Sequence, residues 1–257
     1  GAAGRAWLAG SVLWASAPIG ALVLLMIMRL VPGAWTQELA PALERVALLI
    51  APAALLFAPV LFALGHIYAW PEADTAFRGA YLSPLAYGLR TLLWFAGLGG
   101  LAFLIVIRRV RAAAVASIGL IAFLPMATLI STDWLLFLDA GYASSGFALY
   151  VTSAQVLQAF ALAVVLAAMN GAAPQRTGLV GGLLLTLLLL WTYFIFMPYF
   201  ITWSDNLPAG VRWYQRRTQG AWTWVMPVIA GSRLAAIAAL LFKVVRNSRR
   251  ALVGLCV

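Results

Sequence analysis

Seven apolar stretches, each close to 20 residues or longer, leave this chain few ways to fold. They cover residues 6–30, 46–70, 82–107, 112–130, 147–169, 178–203 and 220–245. About 20 apolar residues in a helix cross the ~30 Å hydrocarbon layer of a membrane. The pattern predicts an all-α polytopic transmembrane bundle of seven spans, with residues 1–257 forming a single integral membrane domain. Composition agrees: 65% of residues are hydrophobic and 9% charged, against about 45–50% and about 25% in soluble domains. A soluble fold already exposes much apolar surface at ordinary composition and has nowhere to hide this excess. Soluble globular, disordered and disulfide-framework classes are excluded.

Pro52 and Pro59 fall inside the second stretch. Neighbouring helices, hydroxyl side chains or waters satisfy the backbone groups that such prolines free. Gly178 and Gly182 are a small-residue pair that allows close helix contact. Residues 251–257 are apolar but too short to span; they read as a tail or as the start of a further helix. Neither a heptad pattern nor a short tandem repeat is present, and no signal peptide is expected near Gly1.

One histidine, His66, and one cysteine, Cys256, restrict the chemistry. A haem held by two histidines of this chain is excluded, as are a four-cysteine iron–sulfur cluster, a structural zinc site and an intrachain disulfide. Metal centres serving electron transfer would sit in partner chains. The formal charge is +10, yet most basic residues lie at span ends. Arg29, Arg45, Arg108, Arg109, Arg111, Arg176, Lys243, Arg246, Arg249 and Arg250 collect on one side; Arg5, Arg78, Arg212, Arg216 and Arg217 collect on the other. The positive-inside rule places the first set in the cytoplasm, with the N-terminus outside and the C-terminus inside. No groove-fitting element or stacking platform accompanies the charge, so nucleic acid is not an expected partner. Trp35, Trp70, Trp134, Trp203, Trp213 and Trp222 lie near span ends and read as interfacial anchors.

Charges inside spans are costly and need a partner or a wet cavity. Arg90 lies in the third span and shares a helix face with Tyr87 and Trp94. It either stacks on Trp94 or pairs with a buried carboxylate. Arg233, near the middle of the seventh span, calls for a carboxylate or carbonyl on another helix. Asp133 and Asp139 sit in the segment joining the fourth and fifth spans. On one helix they would lie about 240° apart, so only a bend brings them together. The alternative is a solvated loop with two capping aspartates. Thr152, Gln155 and Gln158 share one face of the fifth span and are expected to hydrogen-bond to other helices. His66 reads as a neutral, hydrogen-bonded interfacial residue or as a proton-relay group. The aromatic–arginine alternation from Tyr193 to Arg217, turning at Asp205-Asn206-Leu207-Pro208, suits a membrane or subunit surface.

Together these segments resemble the integral membrane subunits of alternative complex III, within the polysulfide-reductase-like superfamily, and in particular the second of its two large membrane subunits. The likeness rests on Gly33-Ala34-Trp35 with Glu44, Tyr68-Ala69-Trp70, and Tyr81-Leu82 with Arg90. Its specific parts are Thr132-Asp133-Trp134 through Ser144-Ser145-Gly146, and Tyr199 through Trp213-Tyr214 with the Asn-Leu-Pro turn. Arg217, Gly220 and Trp222 continue it. The chain departs from the family in having Ala209 and Gly210 where two acidic residues commonly stand, and Met197-Pro198 where Ser-Gln does. It also has seven spans where the family has about ten.

The resemblance implies a complex of the bacterial inner membrane that oxidises quinol and passes electrons to periplasmic haem and iron–sulfur subunits. Those subunits, other membrane subunits and lipid would be the partners. In that family one membrane subunit binds quinol, and the related second one is associated with proton movement or scaffolding. A quinone is the implied ligand, in this chain or a neighbour. Asp133, Asp139, Arg90 and Arg233 are the expected proton-handling or charge-pairing residues. His66, Tyr142 and Tyr199 are the expected contacts to a quinone or a water chain. A purely structural anchor is the first alternative. A secondary transporter is the second; Pro52, Pro59 and Pro198 supply interruptions, but no matching half-repeat is found.

Overall fold

The computed structural model describes residues 1–68, 76–110, 112–139, 142–169, 176–205, 208–220 and 222–257. Trp70, Arg111, Gly141, Asn206 and Leu207 lie outside the described residues, as do the side chains of Arg78 and Ala209.

All regular structure among the described residues is helical. The elements are α1 (Ala2–Leu30), α2 (Ala34–Ala47), α3 (Ile50–Leu56), α4 (Ala58–Phe62), α5 (Leu64–Ile67), α6 (Ala76–Tyr81) and α7 (Pro84–Ala102). They continue with α8 (Ala113–Trp134), α9 (Phe147–Met169), α10 (Thr177–Asp205), α11 (Pro208–Arg216), α12 (Trp222–Leu241), α13 (Lys243–Arg246) and α14 (Arg249–Cys256). Among the described residues seven helical segments are long and apolar enough to cross a membrane: Ala2–Leu30, Ala34–Phe62, Pro84–Ile107, Ala113–Leu138, Phe147–Met169, Thr177–Asp205 and Trp222–Leu241. The chain is a multi-pass membrane protein. Its exterior is that of a lipid-facing surface, with Phe62, Ile118, Ile121 and Trp14 exposed.

Two spans differ from expectation. The second begins at Ala34, twelve residues early, because α2 carries Glu38, Glu44 and Arg45 and yet buries Leu39, Leu43 and Val46 against the bundle. It then continues as the short helices α3, α4 and α5. Pro52 and Pro59 each sit in the first turn of a new piece, where a proline's missing N–H is lost at no cost. The fourth span also runs further than expected, because α8 remains helical to Trp134.

α1 is the central helix. Leu8, Ile19, Leu22 and Met26 are wholly buried, and the helix packs against α2, α3, α8 and α9. Gly20 permits the closest of these approaches: a β-carbon there would lie 2.0 Å from the Gln155 carbonyl oxygen of α9. Of the expected small-residue pair, Gly178 abuts the Asn247 side chain, whereas Gly182 faces open space; Gly181 takes its place, against Arg246 and Leu252. Residues 249–256 form α14, which packs on α9 and buries Leu252.

Basic side chains cluster at one end of the bundle and fasten it. Arg29 donates to the Ile105 carbonyl at 3.2 Å, and Arg249 to the Ala168 carbonyl at 3.0 Å. Arg109 lies 4.0 Å from Glu44. α7 ends in a π-helical turn, Phe103–Ile107, closed by the Val110 N–H on the Leu104 carbonyl, with Arg109 in the left-handed region (φ 51°). The opposite end gathers the N-terminal amine on the His66 carbonyl, Arg5 on the Ile67 carbonyl, and the acidic residues that organise the site.

Candidate functional site

Asp133 stands in the last turn of α8 and is wholly buried. It is not a loop residue, because the helix continues past the expected boundary and carries its carboxylate into the bundle. There the Arg90 Nε donates to Asp133 Oδ2 at 2.5 Å. Tyr81 completes the enclosure. Its hydroxyl donates to Asp133 Oδ1 at 3.3 Å, its carbonyl accepts from Arg90 at 3.1 Å, and its ring lies 4.0 Å beneath the guanidinium. Of the two readings of Arg90, the carboxylate partner is therefore realised, and the ring under the guanidinium is Tyr81, not Trp94. Trp94 instead packs on Phe123, and its buried indole N–H has no partner among the described residues.

Around this pair lies a shell that sequence reading did not assemble. The Tyr68 hydroxyl donates to the Trp134 carbonyl at 2.9 Å and lies 3.2 Å from the Tyr87 hydroxyl. The Trp134 indole N–H donates to Thr91 at 3.2 Å, and its ring contacts Phe57 and Phe95. Trp134 is thus a core residue and not an interfacial anchor. Nothing local marks it as core: its partners Thr91, Phe57 and Phe95 come from other spans. Trp203 and Trp222 are exposed near span ends, as expected of anchors.

The chain then bends. A short 3-10 turn, Leu136–Leu138, leads to Asp139, so the two aspartates diverge and each engages its own arginine. Asp139 meets Arg216 of α11 at 2.8 Å, at a more open position: its side chain is 19% exposed and that of Arg216 is 58% exposed. Asp139 lines a pocket of about 410 Å³ with Tyr142, Tyr150, Pro198, Tyr214 and Arg217. Tyr142 stacks on Trp213 with centroids 4.5 Å apart, and the Arg217 guanidinium lies 3.5 Å from the centroid of the same Trp213 ring. Tyr214, whose ring meets that of Trp213 edge-on at 4.8 Å, lines the same pocket. Pro198 withholds the usual helical donor from the Phe194 carbonyl, and both residues line the pocket.

Electrostatics follow burial. Desolvation pushes the Tyr81 hydroxyl above its ordinary range, and the neighbouring Asp133 charge adds to this. Tyr214 is also pushed up by burial, so it stays a neutral donor. Burial lowers Arg217 from its ordinary value. The pocket thus combines apolar walls with a carboxylate, tyrosine hydroxyls and a guanidinium, in the size range of small-molecule sites (about 300–1,000 Å³).

The remaining expected residues lie elsewhere. Tyr199 meets Tyr214 edge-on at 5.3 Å, behind the pocket lining. His66 is exposed; its carbonyl, not its ring, makes the described contact. Arg233 is exposed on α12 and has no carboxylate partner among the described residues; its guanidinium lies 5.8 Å from the Trp191 ring. The Gln158 side chain donates to the Leu13 carbonyl of α1 at 3.5 Å, the helix-to-helix role expected of it. Among the described residues no group of three His, Cys, Asp or Glu side chains is placed to hold a metal ion. No protein-family model matches the chain, and no curated protein matches it.

Proposed function

We propose that this chain is a quinone-associated membrane subunit of a quinol-oxidising respiratory electron-transfer complex in the bacterial cytoplasmic membrane. The site end of the bundle faces outward and the arginine-rich end inward, as the positive-inside rule asks. The observation that carries the reading is the Asp139 pocket, an apolar cleft lined at the bundle end by a carboxylate, two tyrosines and an arginine. A quinol ring fits between the apolar walls while Tyr142 and Tyr214 bind its oxygens. Oxidation of a quinol releases two protons, and a carboxylate at a partly open rim is suited to take one. Asp139 has that position. Asp133 does not, because Arg90 and Tyr81 enclose it; its role is charge pairing. Electrons would pass to haem and iron–sulfur centres in partner subunits.

The test uses the complex purified with its partners. Asp139→Asn and Tyr142→Phe are expected to lower quinol-dependent reduction of the acceptor and the content of extractable quinone. Normal turnover and normal quinone content in both assembled variants would sink the reading. The enclosure of Asp133 favours a second role, structural anchoring. It predicts that Asp133→Asn impairs assembly without altering the turnover of whatever complex does form.

A further inference from the structure

A lone arginine on the outside of a membrane helix needs an explanation of its own. Arg233 lies eleven residues from the start of α12 and eight from its end, or about 16 Å and 12 Å at 1.5 Å per residue. Snorkelling to the interface serves residues near helix ends, and Arg233 is not one. α12 is also the least enclosed of the seven spans, with Trp224, Val228, Leu234 and Leu241 exposed. The nearby ring of Trp191, at 5.8 Å, is at the limit of useful cation–π range (about 6 Å) and carries no charge.

We infer that the α10–α12 face around Arg233 is an interface, and that its occupant is a transmembrane helix of a different polypeptide carrying an aspartate or glutamate at mid-membrane depth. Charge complementarity selects the occupant. Lipid tails offer no acceptor to a guanidinium at this depth, and intramembrane ionisable groups pair with one another or with carbonyls. A second copy of this chain is a poor candidate. Its described carboxylates within spans are engaged, Asp133 with Arg90 and Glu44 near Arg109, and Glu38 has a partner too. Asp205 lies at a helix end. The inference does not depend on the Asp139 pocket or on any quinol chemistry.

The experiment places a photo-reactive benzophenone residue at Leu234, and separately at Ile229, in the full chain expressed with its native neighbours. Both positions are exposed and flank Arg233. Irradiation is expected to yield a peptide from another polypeptide with an Asp or Glu within one helical turn of the adduct. Arg233→Leu should cut the yield about tenfold, the worth of one intramembrane polar contact at the upper end. Arg233→Lys should keep most of it. If the leucine variant does not accumulate, Arg233→Gln gives the same reading. Adducts to lipid alone, to a second copy, or to a helix without a carboxylate would overturn the inference, as would an unchanged yield without the arginine.

Discussion

The Arg90 Nε and Asp133 Oδ2 approach to 2.5 Å, with the carboxylate wholly buried and the arginine side chain only 15% exposed. The residues are 43 positions apart, on α7 and α8. The pair is enclosed by Tyr81, so it works as a clasp between two spans. The second ion pair, Asp139–Arg216, lies at the rim and is partly open. These two settings give the similar-looking aspartates different consequences.

Replacing Asp133 by Asn leaves a buried guanidinium without its counter-charge. Breaking a buried pair this way costs about 3–5 kcal/mol. The variant should unfold at a clearly lower temperature in detergent, followed by helical circular dichroism. Adding Arg90→Gln should recover part of the loss, because the orphaned charge is then gone. Asp139→Asn, at the exposed pair, should cost about 1 kcal/mol or less, and less still in high salt. Equal losses for the two aspartates would contradict the clasp.

The α1–α9 contact makes a sharper demand on size. A β-carbon on Gly20 would sit 2.0 Å from the Gln155 carbonyl oxygen, which is backbone and cannot step aside cheaply. Gly20→Ala should cost at least the usual overpacking range of about 1–3 kcal/mol. Gly182→Ala meets open space and should be neutral or stabilising, by up to about 1 kcal/mol, through helix propensity. Thermal midpoints of the two variants check the contrast; similar shifts would refute it.

Cys256 offers a reading of pH. Burial pushes its thiol from 9.0 up to about 11. Because the thiolate is the reactive form, alkylation by iodoacetamide at pH 8 should run about a hundredfold slower than for an ordinary thiol, two pH units being a factor of ~100. The rate should climb until about pH 11. The sign for stability follows: the folded state holds this proton more tightly than the unfolded one, so stability is fully present below pH 9 and declines between 9 and about 11. An alkylation rate that levels off near pH 9 would contradict burial of the thiol.

Much of the architecture is readable along the chain. A run of apolar residues is a local property, and a helix in lipid satisfies its own backbone. Seven spans, the grouping of basic residues at helix ends and the buried face shared by Tyr87, Arg90 and Trp94 all follow from that. The exceptions are informative. Trp134 has the position of a belt tryptophan, and Glu38, Glu44 and Arg45 give α2 the polarity of a loop; both are buried by neighbours that come from other parts of the chain. α2 is held by its buried Leu39, Leu43 and Val46, and this places Glu44 4.0 Å from Arg109.

By itself, then, the sequence determines a multi-pass helical membrane protein with a handful of costly charges. Only the tertiary structure decides how those charges are distributed: Asp133 enclosed with Arg90, Asp139 opened to a pocket beside Tyr142 and Tyr214, and Arg233 left facing outward. The physical reason is range. Hydropathy and helix formation depend on residues a few positions apart, whereas the ion pairs Arg90–Asp133 and Arg216–Asp139 join groups separated by 43 and 77 positions and are set by which helices pack side by side.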